Sequence, residues 1–229
     1  MTRQKIISIV FLFLIGIGGI TYFLIEYRDQ QTFEESLKAK DPTKLKQAAE
    51  TVDLSTKERN RYIRKFQESL EYDKALVLLD RTSAENQGNW FYVAQFAPTD
   101  VVKKWLAAGA STQQMNKNKQ NVLHVATSLN RSADAYALLV KQVSKSQLNQ
   151  LDRFGHTPLY YATVDQNQEA MELLLEADAE PDKGKDSPIY ETVKQNRIDL
   201  YELLEANGAS ATEKQVKKIA DSYGAESFK

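Results

Sequence analysis

Only two histidines, His124 and His156, are available for acid–base chemistry near neutral pH, and the chain has no cysteine. A catalytic imidazole needs a partner within hydrogen-bond reach and a pocket for substrate. Neither NVLHVATS around His124 nor DRFGHTPL around His156 supplies such a set. His124 reads as a structural residue and not a general base, and His156 as a solvated turn residue. Without cysteine there are no disulfides, thiolate metal sites or cysteine nucleophiles. Carboxylate pairs such as Glu34 and Glu35 read as exposed helix charges, because an acid–base pair must hold two separated pKa values in one cleft. Gly155 and Gly184 stand alone, outside any phosphate cradle or dinucleotide fingerprint. The chemistry-bearing residues therefore predict no catalytic, cofactor or metal site.

The charge balance narrows the partners. Thirty basic against thirty-one acidic residues leave a net charge of -1, so no whole-chain field attracts nucleic acid. The basic groups NKNK at 116–119 and KQVKK at 214–218 hold too few charges for a strong field and read as solvated surface, with contact to acidic lipid or protein as the alternative. With 42% hydrophobic residues over 229 positions, the chain has ample material for a folded core.

Ile6 to Ile25, IISIVFLFLIGIGGITYFLI, contains no charge. Twenty helical residues span about 30 Å, the thickness of a bilayer's hydrocarbon layer. Arg3 and Lys5 precede the run, and Glu26, Arg28 and Asp29 follow with mixed sign. This predicts a single-pass anchor with a cytoplasmic N-terminus and a periplasmic or other extracytoplasmic C-terminal domain. Cleavage of the segment as a signal peptide is the alternative, disfavoured by its length.

The remaining elements are set by a repeat. Residues 152–182 read DRFGHTPLYYATVDQNQEAMELLLEADAEPD. Thr157 suits an N-cap and Pro158 the first helical position, with Leu159, Ala162 and Val164 beginning an apolar face. Asp165-Gln166-Asn167 breaks the pattern, after which Ala170, Met171, Leu174 and Leu175 recur at helical spacing. One unit is thus two antiparallel helices. The register returns at Gly88, Asn121 and Ser187, giving cap spacings of 33, 36 and 30 residues around 157.

The 152–182 unit resembles an ankyrin repeat through Asp152, Gly155, Thr157, Pro158, Leu159, Ala162, Leu174, Leu175 and Ala179, with Tyr160 and Asp178 replacing the family's histidine and glycine. That resemblance implies an all-α solenoid of helix-turn-helix repeats with β-turn fingers, four of them over 86–210. Residues 30–85 are expected to form a helical N-terminal cap with a degenerate repeat, and 211–229 a capping helix. Helix ends lacking glycine, at Asp178 and around Gln142, must use Asp or Gln where a left-handed residue is wanted, and are expected to fray or curl differently from the family.

Family members bind partners along the fingers and the exposed side of each first helix. Carried onto this register, that surface holds Tyr92, Phe96, Leu129, Tyr161 and Asp165 on the helices and Met115, Arg153, Phe154 and Lys183 on the fingers. Packing of Tyr92, Phe96 and Phe154 between repeats is the alternative. The function implied is non-enzymatic capture of another protein by a monomeric, membrane-anchored ectodomain, with a protective inhibitor of a secreted toxic enzyme as one rival. An enzyme with an unrecognised site in 33–85 is the other.

Overall fold

The computed structural model describes residues 16–78, 87–127 and 131–228, all helix, turn or loop. It divides into two compact units, Met1–Leu79 and Asp80–Lys229. The predicted anchor lies partly outside the described residues, at 6–15. Among those described, no helix is long and apolar enough to cross a membrane.

In the first unit, helix α1 (Gly16–Lys38) runs out of the apolar segment into a polar one and buries Phe33. Three shorter helices pack with it: α2 (Pro42–Ala49), α3 (Thr56–Glu68) and α4 (Tyr72–Val77). Local chemistry sets their starts. Asp41 accepts from the Thr43 N–H at 2.8 Å ahead of Pro42, and Ser55 and Glu58 form a reciprocal capping box. Leu45, Ile63, Phe66 and Ala75 fill the core, with Phe33 edge-on to Tyr62. Lys74 is buried: its Nζ donates to the Leu37 carbonyl at 3.2 Å and pairs with Glu71 at 2.5 Å. A cation thereby satisfies an orphan carbonyl in the last turn of α1, where the helix dipole also favours positive charge.

The second unit repeats one motif. Helices α5 (Gln87–Phe96) and α6 (Thr99–Ala107) form the first pair, and α7 (Val122–Val125) and α8 (Ala133–Val140) the second. A single turn, α9 (Lys145–Leu148), precedes the third pair, α10 (Pro158–Val164) and α11 (Gln168–Glu176). The fourth is α12 (Pro188–Lys194) and α13 (Ile198–Ala206), closed by α14 (Glu213–Tyr223) and a 3₁₀ turn at Glu226–Phe228. First helices pack in chain order, α5 on α7 on α10 on α12 on α14, and so do the second helices α6, α8 and α11. Each pair has too little apolar surface of its own, so the core is made between neighbours. It runs from stacked Trp90 and Trp105 through Leu123, Tyr136 and Leu139, then Leu159, Met171 and Leu174, to Ile189 and Leu204. At the far end Val193, Ala220 and Ala225 form a cluster with Tyr201, Val216, Ile219 and Phe228 around it.

Three of the second helices close identically. The N–H groups of Ala110, Ala179 and Ala209 donate to the carbonyls of Trp105, Leu174 and Leu204 at 3.0, 2.9 and 3.0 Å. This closure needs a left-handed residue just before it, supplied by Gly109, Asp178 and Gly208 at φ 92°, 68° and 90°. Asp178 therefore takes the glycine conformation, and its helix closes as the glycine-ended ones do where a different curl was expected. Gln142 does not. Instead Ser144 caps the extra turn α9 in a box with Gln147, and that turn absorbs the 36-residue spacing.

Candidate functional site

The fingers are the segments that link one helix pair to the next, and hydrogen bonds fix their shape. In the finger before α7, Asn116 Oδ1 accepts from the backbone N–H groups of Asn118 and Gln120 at 2.8 and 3.1 Å. In the next, Asp152 Oδ1 accepts from Phe154 and His156 at 2.8 and 3.0 Å. The same Asx geometry thus folds two fingers, one with an amide and one with a carboxylate. Backbone bonds then tie finger to finger: Arg153 N–H donates to the Asn118 carbonyl, and Lys185 N–H to the Gly155 carbonyl, each at 2.8 Å.

Behind the fingers lies a polar cluster. His124 is 3% exposed. Its Nδ1 is 2.7 Å from Asn121 Oδ1, and its Nε2 is 3.3 Å from the carbonyl oxygen of His156. Burial pushes its pKa down to about 4, and both ring nitrogens are occupied by framework partners. The expected structural role is the one the geometry gives. Asp152 Oδ2 accepts from Tyr161 Oη at 2.7 Å and from Gln120 Nε2 at 3.3 Å. Burial opposes the charge on Asp152, but bonds from Tyr161 and the N–H groups of His156 and Phe154 outweigh it and hold the carboxyl below its usual range. Burial and the Asp152 carboxylate together raise the Tyr161 phenol to about 12.

His156 departs from the solvated reading. Its ring stacks on Tyr160 with centroids 4.0 Å apart, and Nε2 meets Asp186 Oδ2 at 2.8 Å in the following finger. The sequence conceals this because the partner lies thirty residues away.

The predicted contact residues fall into two groups. Tyr161 is half-buried, with its hydroxyl on Asp152 and its ring edge-on to His124 and His156. Asp165 ends α10 and accepts from Thr127 Oγ1 of the preceding repeat at 2.7 Å. Both sit in the framework. The others face outward: Phe154 is 50% exposed, Met115 44% and Phe96 56%. The Arg153 guanidinium lies 5.2 Å over the Phe154 ring. Lys183 pairs with Glu180 at 3.3 Å. Tyr92 is half-buried, 5.0 Å from Phe96 between ring centroids, and Leu129 lies outside the described residues.

Among the described residues no group of three or more metal-ligating side chains converges. What the geometry offers is a rigid ridge with exposed tips.

Comparison with known proteins agrees with this geometry. The family model for ankyrin repeats (3 copies) matches residues 90–185 and 135–215. No curated protein matches the chain. Among solved structures 275 chains match, including the crystal structure of the human ASB11 ankyrin repeat domain. That structure is 22% identical with a TM-score of 0.54, over 61% of this chain and 65% of the other. The match spans less than two thirds of that domain, and a fold shared so widely selects no partner.

Proposed function

Because the chain belongs to the ankyrin-repeat family, we propose that it is a non-enzymatic module that captures another protein on its fingers and first helices. The observation that carries this reading is the finger ridge. Met115, Arg153 and Phe154 project from backbones already bonded to one another, so little ordering entropy is lost when a partner docks. Arg and aromatic side chains are the types in which interfaces concentrate binding energy.

We further propose that residues 6–25 hold the chain in a membrane with the repeats on the non-cytoplasmic side. The uncharged run and the basic residues before it support this. In that setting the module works as a monomer. A single tight partner would make it a protective inhibitor of a secreted enzyme, the special case of the same binding function.

The test is capture of partners from native envelopes by the full-length chain in detergent, compared with a Met115→Ala, Phe154→Ala double variant. Recovery should fall roughly tenfold, the loss expected for truncating interface anchors, with the melting temperature unchanged. Equal recovery by both proteins would refute a finger-based site. Protease protection in intact spheroplasts tests the orientation: residues C-terminal to 30 should be cut from outside.

A further inference from the structure

The fingers carry a charge pattern that the binding function alone does not require. Lys117, Arg153 and Lys183 each stand four residues before the N-cap of the following helix, at Asn121, Thr157 and Ser187. Three successive fingers therefore present a cation at the same place. Lys119 and Lys185 repeat the pattern two residues further on, and both are exposed.

Three of the finger carboxylates bond to other groups than these cations. Asp152 is buried under Tyr161 and two backbone N–H groups. Asp182 accepts from the Ser210 N–H at 3.0 and 3.1 Å, and Asp186 from His156. Of the three cations Lys117 and Arg153 are exposed, Arg153 also donating to Asn118 Oδ1 at 3.3 Å, and Lys183 is half-buried against Glu180 at 3.3 Å. Apolar surface interrupts the row at Met115 and Phe154.

We infer that this ridge binds an extended acidic segment of the partner protein, with carboxylates three residues apart and an apolar side chain between them. Neighbouring helices in a stack lie about 8–10 Å apart, which sets the step expected from one finger to the next. An extended chain advances about 3.3 Å per residue, or about 10 Å in three. An apolar side chain between two carboxylates would lie against Phe154 and its overlying guanidinium. A single row that steps from finger to finger fits a strand-like segment lying along it better than a membrane plane, and the flanking carboxylates Asp178 and Glu180 are paired with Lys145 and Lys183 at 3.8 and 3.3 Å.

This inference rests on the proposed binding function and specifies its partner. The probe is a labelled peptide with glutamates at every third position and leucines between, measured by fluorescence anisotropy against the full-length protein in neutral detergent. The control peptide has the same composition with its glutamates consecutive. The spaced peptide should bind roughly tenfold more tightly than the control and weaken as salt rises, as charge-complementary contacts do. The combined variant Lys117→Glu, Arg153→Glu, Lys183→Glu should lose that binding. Should that variant melt early, Lys117→Glu alone is read, since its exposed side chain can be reversed without disturbing the framework.

Equal affinity for the two peptides, or full binding by the charge-reversed variants, overturns the inference. Displacement of the peptide by an equal concentration of short-chain phosphatidylserine would assign the row to lipid headgroups and overturn it as well. Capture of a protein partner that survives charge reversal sinks the acidic segment and leaves the binding function standing. Absence of any captured partner sinks that function instead.

Discussion

The His124 Nε2 lies 3.3 Å from the His156 carbonyl oxygen, so the only two histidines in the chain meet across two repeats without sharing a proton between their rings. His124 is held by the finger that His156 ends. A buried neutral imidazole in this position makes the stack sensitive to acid.

Burial lowers the pKa of His124 from 6.5 to about 4. The folded state therefore binds fewer protons than the unfolded state between those values. Its stabilising contribution is complete above pH 6.5, declines as pH falls, and is lost below about 4. A shift of that size corresponds to on the order of 3 kcal/mol. Urea unfolding of the second unit's transition at pH 7 and pH 5 should show the loss, and His124→Gln should flatten the slope. A slope unchanged by that substitution would mean another group titrates.

Tyr161→Phe removes the hydroxyl that donates to Asp152 Oδ2 at 2.7 Å and keeps the ring against His124 and His156. Losing one partner of a charged acceptor costs about 1–3 kcal/mol. The Asp152 pKa should rise, measurable by carbon-detected NMR titration, because one of the bonds that stabilise its anion is gone. Partner capture should change only in proportion to stability, since Tyr161 belongs to the framework. A loss of capture at unchanged melting temperature would place Tyr161 in the interface.

Gly184 and Gly208 both have positive φ, at 118° and 90°, but only Gly184 lacks room. A Cβ there would stand 2.9 Å from the Gly155 carbonyl oxygen, which also accepts the Lys185 N–H. At Gly208 it meets nothing within 4 Å. Gly208→Ala should cost about 1–2 kcal/mol from backbone strain alone. Gly184→Ala should cost more and also speed hydrogen exchange at the Lys185 amide. Equal melting temperatures for the two variants would show that the finger yields without breaking its ladder.

The repeat was legible in the sequence because its signals are local. Thr157-Pro158 sets a helix start whatever surrounds it, and Leu174-Leu175 marks an apolar stripe by spacing alone. Asp178 follows the same logic: the Ala179 N–H reaches back to Leu174 only if the residue before it turns left-handed. The extra turn at Lys145–Leu148 was also written locally, in Ser144 and Gln147.

What the chain could not declare were relationships across repeats. Tyr160 and Tyr161 are adjacent, yet one stacks on His156 and the other donates to Asp152. Thr127 reaches Asp165 and His156 reaches Asp186 over 38 and 30 residues. Helical periodicity assigns a residue to a face, but it does not say what the neighbouring repeat brings to that face. The sequence by itself determined the helix pairs, their order and the caps at Asn121, Thr157 and Ser187, whereas Gly88, read as a cap, lies inside α5. Tertiary stacking decided which polar groups became framework and which cations were left outward, because those hydrogen bonds form only when separate turns are brought within 3 Å or so of one another.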